Sequence, residues 1–202
     1  MEKSYNYTLK LFFVFMIIGI LLGGCAKSPY LKVRYQLSEK TDILAGKELF
    51  VEIKDMRTEK AILGKEAKAY FKRPANRFSL FLAEGEKDKA QLGLFDPPSL
   101  FKEAFKQRME HMGVKVSEVK EKGLPTIIVE LEKFSLDLMN NKWISKAAYT
   151  ARAMSDTGFL FSESVNGTAE RQKILGRKDA EKVLGEVLTD SVNKLDIRRL
   201  LQ

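Results

Sequence analysis

Cys25 is the only cysteine in the 202 residues of this chain. A chain so composed cannot close an internal disulfide or assemble a clustered-cysteine zinc site, so its fold must rest on an apolar core. The single histidine, His111, likewise excludes a multi-histidine metal centre and leaves any Ser-His-Asp arrangement dependent on one residue. Material for a core is present, because 45% of the residues are hydrophobic against 31% charged. The length suits one domain of about 100–200 residues.

The N-terminus has the layout of a targeting segment. Lys3 and Lys10 give it a positive start, and an uncharged run of twelve residues follows from Leu11 to Leu22. That is short of the ~20 residues needed to cross a bilayer core and suits the apolar region of a signal peptide. The run ends in Leu22-Gly23-Gly24-Cys25, which resembles the bacterial lipobox. Small residues let an extended chain enter a narrow peptidase site, and the cysteine thiolate is the nucleophile that accepts a diacylglyceryl group. The resemblance implies that residues 1–24 are a lipoprotein signal peptide that is removed. Residues 25–29 are then a lipidated N-terminus and short tether, and residues 30–202 a single globular domain. Several acyl chains (palmitate and its like) on Cys25 make a permanent anchor, since one chain alone binds only reversibly. Ala26, and not aspartate, follows the cysteine. In the enteric sorting rule this places the protein at the outer membrane, facing the periplasm.

Beyond Pro29 no Gly/Ser-rich or Pro-rich seam divides the chain and no repeat recurs. Leu31-Lys32-Val33-Arg34-Tyr35 alternates apolar and basic residues as a half-buried strand does. Residues 49–53, 77–82, 114–116 and 126–131 predict further strands, with Leu49, Val51 and Ile53 on one face and Ile127, Val129 and Leu131 on another. Residues 143–154 alternate loosely, and 159–171 predict a last strand in which Asn166-Gly167 suggests a bulge or turn. Two helices stand out. One starts after Asp96-Pro97-Pro98-Ser99, carries Phe101, Ala104, Phe105, Met109 and Met112 on one stripe, and stops at Gly113. The other repeats Ala180, Val183, Leu184, Val187, Leu188, Val192 and Leu195 at helical spacing. The expected class is α+β: one domain, a mainly antiparallel sheet, and both amphipathic helices packed on one face.

Catalytic signatures are missing from the sequence. It contains no nucleophile elbow, phosphate-binding glycine loop or metal-binding helix motif. His111 falls in the last turn of the first strong helix, where a cation favours the macrodipole. Glu130 and Glu132 read as solvated positions on a strand face. The expectation is a non-enzyme with no cofactor and no metal.

Charge says more. The chain carries a formal +8, and the segment from Lys54 to Arg77 holds eight Lys/Arg against three Asp/Glu. Within it Lys65, Lys68, Lys72, Arg73 and Arg77 form the candidate surface for an anionic lipid or an acidic envelope partner. Nucleic acid is not expected as a partner for an exported, lipid-anchored protein.

The order of elements resembles the YajG family of small bacterial envelope lipoproteins. The similarity is carried by Leu22-Gly23-Gly24-Cys25-Ala26-Lys27, by Asp55-Met56-Arg57-Thr58 at a strand end, and by His111-Met112-Gly113-Val114. A strand after Pro125 and the terminal helix with Leu188-Thr189-Asp190 complete it. The resemblance implies a periplasmic binding, scaffold or assembly component held to the membrane through Cys25, with no catalytic residues to carry over. Asp55 and Arg57 read first as a local charge pair or turn lock, second as a binding site. A second resemblance, to auxiliary lipoproteins of envelope lipid or lipopolysaccharide transport systems, rests on size and anchoring alone. The remaining alternative is a peptidoglycan or glycan hydrolase using a carboxylate pair.

Overall fold

The computed structural model describes residues 30–72, 77–85 and 87–200. Cys25, the tether and Arg73 lie outside the described residues. The elements in chain order are β1 (Leu31–Gln36), β2 (Glu48–Asp55), α1 (Lys65–Phe71), β3 (Phe78–Glu84), β4 (Lys87–Phe95) and α2 (Pro97–His111). They continue with β5 (Lys115–Ser117), β6 (Thr126–Met139), β7 (Lys142–Ser155), β8 (Gly158–Gln172), α3 (Arg177–Lys194) and the short α4 (Ile197–Leu200). The fold is α+β, as the periodicities predict. The strands divide into two sheets, ordered β1-β3-β4 and β5-β2-β6-β7-β8. The long β6-β7-β8 meander is antiparallel, while β1 runs parallel to β3, and β2 parallel to both β5 and β6. Among the described residues, no helix is long and apolar enough to cross a membrane.

Alternation decides which side of each strand is dry. Leu31, Val33 and Tyr35 of β1 are buried while Lys32 and Arg34 are exposed. On β6, Ile127, Val129 and Leu131 point inward, yet so do Phe134 and Leu136, which have the opposite parity. A register shift reconciles them: Leu131 pairs with Tyr149 and Lys133 with Ala148, so Glu132 is the extra residue of a bulge. The bulge resets the two-residue period, and both halves of the strand feed one core. Glu132 accepts a hydrogen bond from Thr150 (2.8 Å), and Glu130 pairs with Arg152 (3.0 Å), both on the outer, wetted face.

Helices α2 and α3 cover the inner face of the five-stranded sheet. Tyr149 of β7 meets the rings of Phe101 and Phe105 edge-on and donates to the Ser191 carbonyl of α3 (2.8 Å). Small neighbours on the same strand, Ala147, Ala151 and Ala153, let the helices come close. Gly167 does the same from β8, where a Cβ would sit 3.4 Å from both Val187 and Ser191. This corrects the reading of Asn166-Gly167 as a bulge or turn, because pairing with β7 runs unbroken through both residues. The glycine serves helix-to-sheet approach, and the turn lies at Asn140-Asn141, both with positive φ (49° and 59°), as a two-residue hairpin demands.

Three elements have no counterpart in the sequence expectation: α1, β4 and the short α4. Helix α1 lies within the charged segment from Lys54 to Arg77, where no helix or strand is expected. Its N-cap is Gly64, which has no side chain to cap with, and the Asp137 carboxylate of β6 accepts the Ala67 amide instead (3.2 Å). Strand β4 is an edge strand whose residues Lys87 to Gln91 are exposed on both faces, so no alternation marked it.

Candidate functional site

The spacing of α3 matches that of β1. Glu181, Gly185, Thr189 and Asn193 recur every four residues, about 6 Å of helix, against about 6.6 Å for every second residue of a strand. The ridge therefore lies along the outer edge of β1 and meets its backbone at each step. Glu181 accepts the Lys32 amide (3.1 Å), and Thr189 accepts the Gln36 amide (3.0 Å). Asn193 donates to the Gln36 carbonyl (3.3 Å) and accepts from the Tyr35 hydroxyl (2.8 Å). At the centre Gly185 allows contact with the backbone of Arg34. The helix thus covers a strand edge that would otherwise invite another chain.

Above this seam opens a cleft of about 760 Å³, the size of a small-ligand site. Lys32, Arg34 and Phe81 line it from the three-stranded sheet, and Lys178, Lys182 and Glu186 from α3. Several of its charges are already paired: Arg34 with Asp88 (2.7 Å), and Arg171 with Glu186. The Lys32 ammonium stands 5.6 Å from the centre of the Phe81 ring, a cation–π contact. Lys178 and Lys182 are exposed one turn apart. Cationic heads beside an aromatic ring can hold an acidic or amphipathic ligand.

The most perturbed ionisable groups lie elsewhere. Burial pushes the Tyr35 and Tyr149 phenols far above their ordinary range, and pulls the Arg108 guanidinium below its own. All three belong to the packed interior between α2, α3 and the sheets and do not line the cleft. Among the described residues, no group of three or more His, Cys, Asp or Glu could hold a metal ion. His111 closes α2, as its place in the sequence predicts, and does not line the cleft.

The basic residues singled out from sequence occupy a different place. Lys65 and Lys68 are exposed on α1, and Lys72 is its C-cap in the left-handed region (φ 57°). Arg77 is exposed just before β3, where its carbonyl accepts the Leu31 amide (3.2 Å). Arg73 and Cys25 lie outside the described residues. None of the described four lines the cleft. The cleft's own cations were legible as the outward half of the β1 alternation and as the Lys178/Lys182 pair one helical turn apart. Nothing local ties those two stretches together.

Asp55 and Arg57 form the turn lock that their spacing suggests. The side chain of Arg57 is only 4% exposed, and its Nε and Nη2 donate to the two carboxylate oxygens of Asp55 at 2.8 and 2.9 Å. Arg57 Nη1 also reaches the Lys60 carbonyl (3.3 Å), while Lys60 donates to the Asp55 carbonyl (2.9 Å). Hydrogen bonding to Arg57 lowers the Asp55 pKa to about 2 from an ordinary 3.8. A carboxyl depressed in the folded state contributes stability that is whole above its unfolded value and lost as pH falls through the folded one. Wild type should therefore lose about 2 kcal/mol relative to Asp55→Asn between pH 5 and pH 2. Urea denaturation at several pH values checks this, and parallel pH profiles for the two proteins would refute the lock.

No family model matches the chain, and no curated protein sequence matches it. Solved structures resemble it. XCC0632 from Xanthomonas campestris, described by the family model DUF330, superposes with a TM-score of 0.51 at 12% identity, over 85% of this chain and 94% of that one. A minor lipoprotein from Acinetobacter baumannii aligns with a TM-score of 0.42 at 10% identity, over 77% of this chain and 91% of its own. A Caulobacter crescentus protein designated a candidate lipoprotein aligns with a TM-score of 0.38 at 5% identity, over 52% and 80%. The likeness to XCC0632 is one of fold: most of both chains share the α+β arrangement.

Proposed function

We propose that this protein is a bacterial envelope lipoprotein, held to the membrane through acylated Cys25. Its domain binds and positions another envelope component through the cleft between β1 and α3 and catalyses no reaction. The observation that carries this reading is the cleft's position along the chain. Lys32, in its wall, is seven residues from Cys25, and a fully extended stretch of that length spans at most ~25 Å. A ligand seated there is held close to the bilayer by covalent geometry alone. The lipobox-like Leu22-Gly23-Gly24-Cys25 and the following Ala26 support an outer-membrane, periplasm-facing location, and membership of the YajG family belongs to the same proposal.

Growth with a fatty-acid analogue should label wild type and leave Cys25→Ser unlabelled. A photocrosslinking residue in place of Lys182 should join the protein in cells to one defined envelope component. Lys178→Glu combined with Lys32→Glu should abolish that product. Purified mature protein should release nothing from cell-wall sacculi. Sacculus hydrolysis that disappears on changing one carboxylate would overturn the binding reading in favour of a hydrolase.

A further inference from the structure

Both ends of the β6-β7-β8 meander display apolar side chains that the core does not take: Phe159 and Leu160, 61% and 48% exposed, beside the β7–β8 turn, and a second pair at the end where the chain departs for its N-terminus. In the loop joining β8 to α3, Ile174 is 81% exposed and Leu175 60% exposed. The loop is not slack. The buried Asp179 carboxylate accepts both the Ile174 amide (2.8 Å) and the Leu175 amide, as the acidic side chain of a capping box reaches back over a helix start. Lys173 is tied to the β6–β7 turn through the Asn141 carbonyl (2.9 Å), next to the exposed Met139. Its ammonium stands 5.3 Å from the centre of the Tyr70 ring, and the Tyr70 hydroxyl lies against Gly176 so closely that a Cβ would not fit. The backbone is pinned inward while two large aliphatic side chains face solvent. Such a contiguous apolar patch marks a contact surface.

The surroundings select the occupant. Lys72 and Lys178 are exposed, on the C-cap of α1 and in the first turn of α3, and the half-buried Lys173, which precedes Ile174, reaches the Tyr70 ring of α1. An apolar centre ringed by lysines is the pattern of a segment that enters the headgroup region of an anionic bilayer. The chain leaves toward its anchor from this same end: Arg177, the first residue of α3, donates to the Tyr30 carbonyl. Tyr30 is five residues from Cys25, a separation of at most ~18 Å.

We propose that Ile174 and Leu175 insert into the interface of an anionic phospholipid bilayer, with Lys72, Lys173 and Lys178 on the headgroups, so that the domain is seated in one orientation and not merely tethered. The proposal rests on the anchored-lipoprotein reading. Tethering raises the effective concentration of the face at the membrane, so an intrinsically weak contact suffices to fill it.

The test uses the mature acylated protein reconstituted in vesicles of phosphatidylcholine alone or with phosphatidylglycerol. Ile174→Cys supplies a thiol for an environment-sensitive fluorophore. Thr157→Cys supplies the comparison beside the other exposed apolar pair, Phe159 and Leu160, at the opposite end of a strand fourteen residues long, about 45 Å away. In anionic vesicles the label at position 174 should shift to the blue and be quenched by lipid-borne nitroxides, while the label at 157 reports water. Reversing Lys72, Lys173 and Lys178 to glutamate should remove the preference for anionic over neutral vesicles. Labels at both positions that report water in both vesicle types would overturn the proposal. So would a label at 174 that is shielded equally in detergent with the mass of a dimer, which identifies a second copy as the occupant. Labelling stoichiometry separates the two readings: one dye per chain means that the Cys25 sulfur is blocked by acylation. Two dyes per chain would sink the anchor itself.

Discussion

Gly185→Val should lower the stability of the domain by at least about 3 kcal/mol and open the seam between α3 and β1. Two effects oppose each other at this position. Glycine inside a helix costs about 1 kcal/mol relative to alanine, so adding a side chain would ordinarily help. Here, however, a Cβ would sit 2.6 Å from the Arg34 carbonyl oxygen and 3.2 Å from the Arg34 amide nitrogen, both backbone atoms. Backbone in a paired strand cannot swing aside as the end of a flexible side chain can, so the clash decides the sign. Overpacking typically costs about 1–3 kcal/mol. Pushing the helix outward also strains the Glu181, Thr189 and Asn193 bonds to β1, each worth about 1 kcal/mol. The urea midpoint of the mature protein measures the loss. Lys182→Ala, on the solvent side of the same helix, is the control and should change stability by less than about 0.5 kcal/mol. A Gly185→Val midpoint equal to that control would refute the close-packed seam.

The second large effect belongs to Arg108. Its buried guanidinium reaches from α2 to the end of α3, donating to the carbonyls of Val192 and Leu195 (2.7 Å to the latter). These are among the last carbonyls of the helix, which have no partner within it and carry the negative end of its dipole. The charge is thus balanced by oriented carbonyls in place of a carboxylate. Burial lowers its pKa, yet a guanidinium stays protonated throughout the working range of a protein. Arg108→Met keeps the aliphatic bulk and removes the donors from both buried carbonyls, of which that of Leu195 still accepts the Ile197 amide (3.0 Å), at an expected cost of about 2–4 kcal/mol. Arg108→Lys should recover part of this, because one ammonium can serve at most some of the positions that the planar fork serves. Denaturation midpoints ordered wild type, Arg108→Lys, Arg108→Met are the expected result. Equal midpoints for the two variants would show that the forked geometry contributes nothing.

Neither device could be read from local pattern. Arg108 and Leu195 are 87 residues apart, and a glycine in the middle of an apolar stripe reads as a weak point in a helix until the strand beneath it is known. The same limit hid α1, whose capping carboxylate comes from Asp137, 70 residues further on. It also hid the cleft, whose cations belong to β1 and α3 and meet only because two four-residue helical steps span nearly the same length as two strand pairs. The hairpin at Asn140-Asn141 is a different case. Adjacent asparagines tolerate positive φ and were a turn signal on the page.

What the sequence determined by itself follows from periodicity and composition. The stripes of α2 and α3, the alternation of β1 and the first half of β6, the Asp55–Arg57 lock and the absence of disulfide or zinc scaffolding are all encoded within short windows. Burial of one face is a local property of a repeating helix or strand. What the tertiary structure alone decided is which of these faces meet. It divided the strands into two sheets and placed the bulge at Glu132 that turns both halves of β6 to one core. It gave Gly185 and Gly167 their roles as points of close approach. It also separated the charged cleft from the exposed lysines of α1, which the segmental charge count had no means to tell apart. Those outcomes depend on contacts between residues far apart in the chain, where the packing of backbone against backbone, and not the propensity of any one segment, sets the free energy.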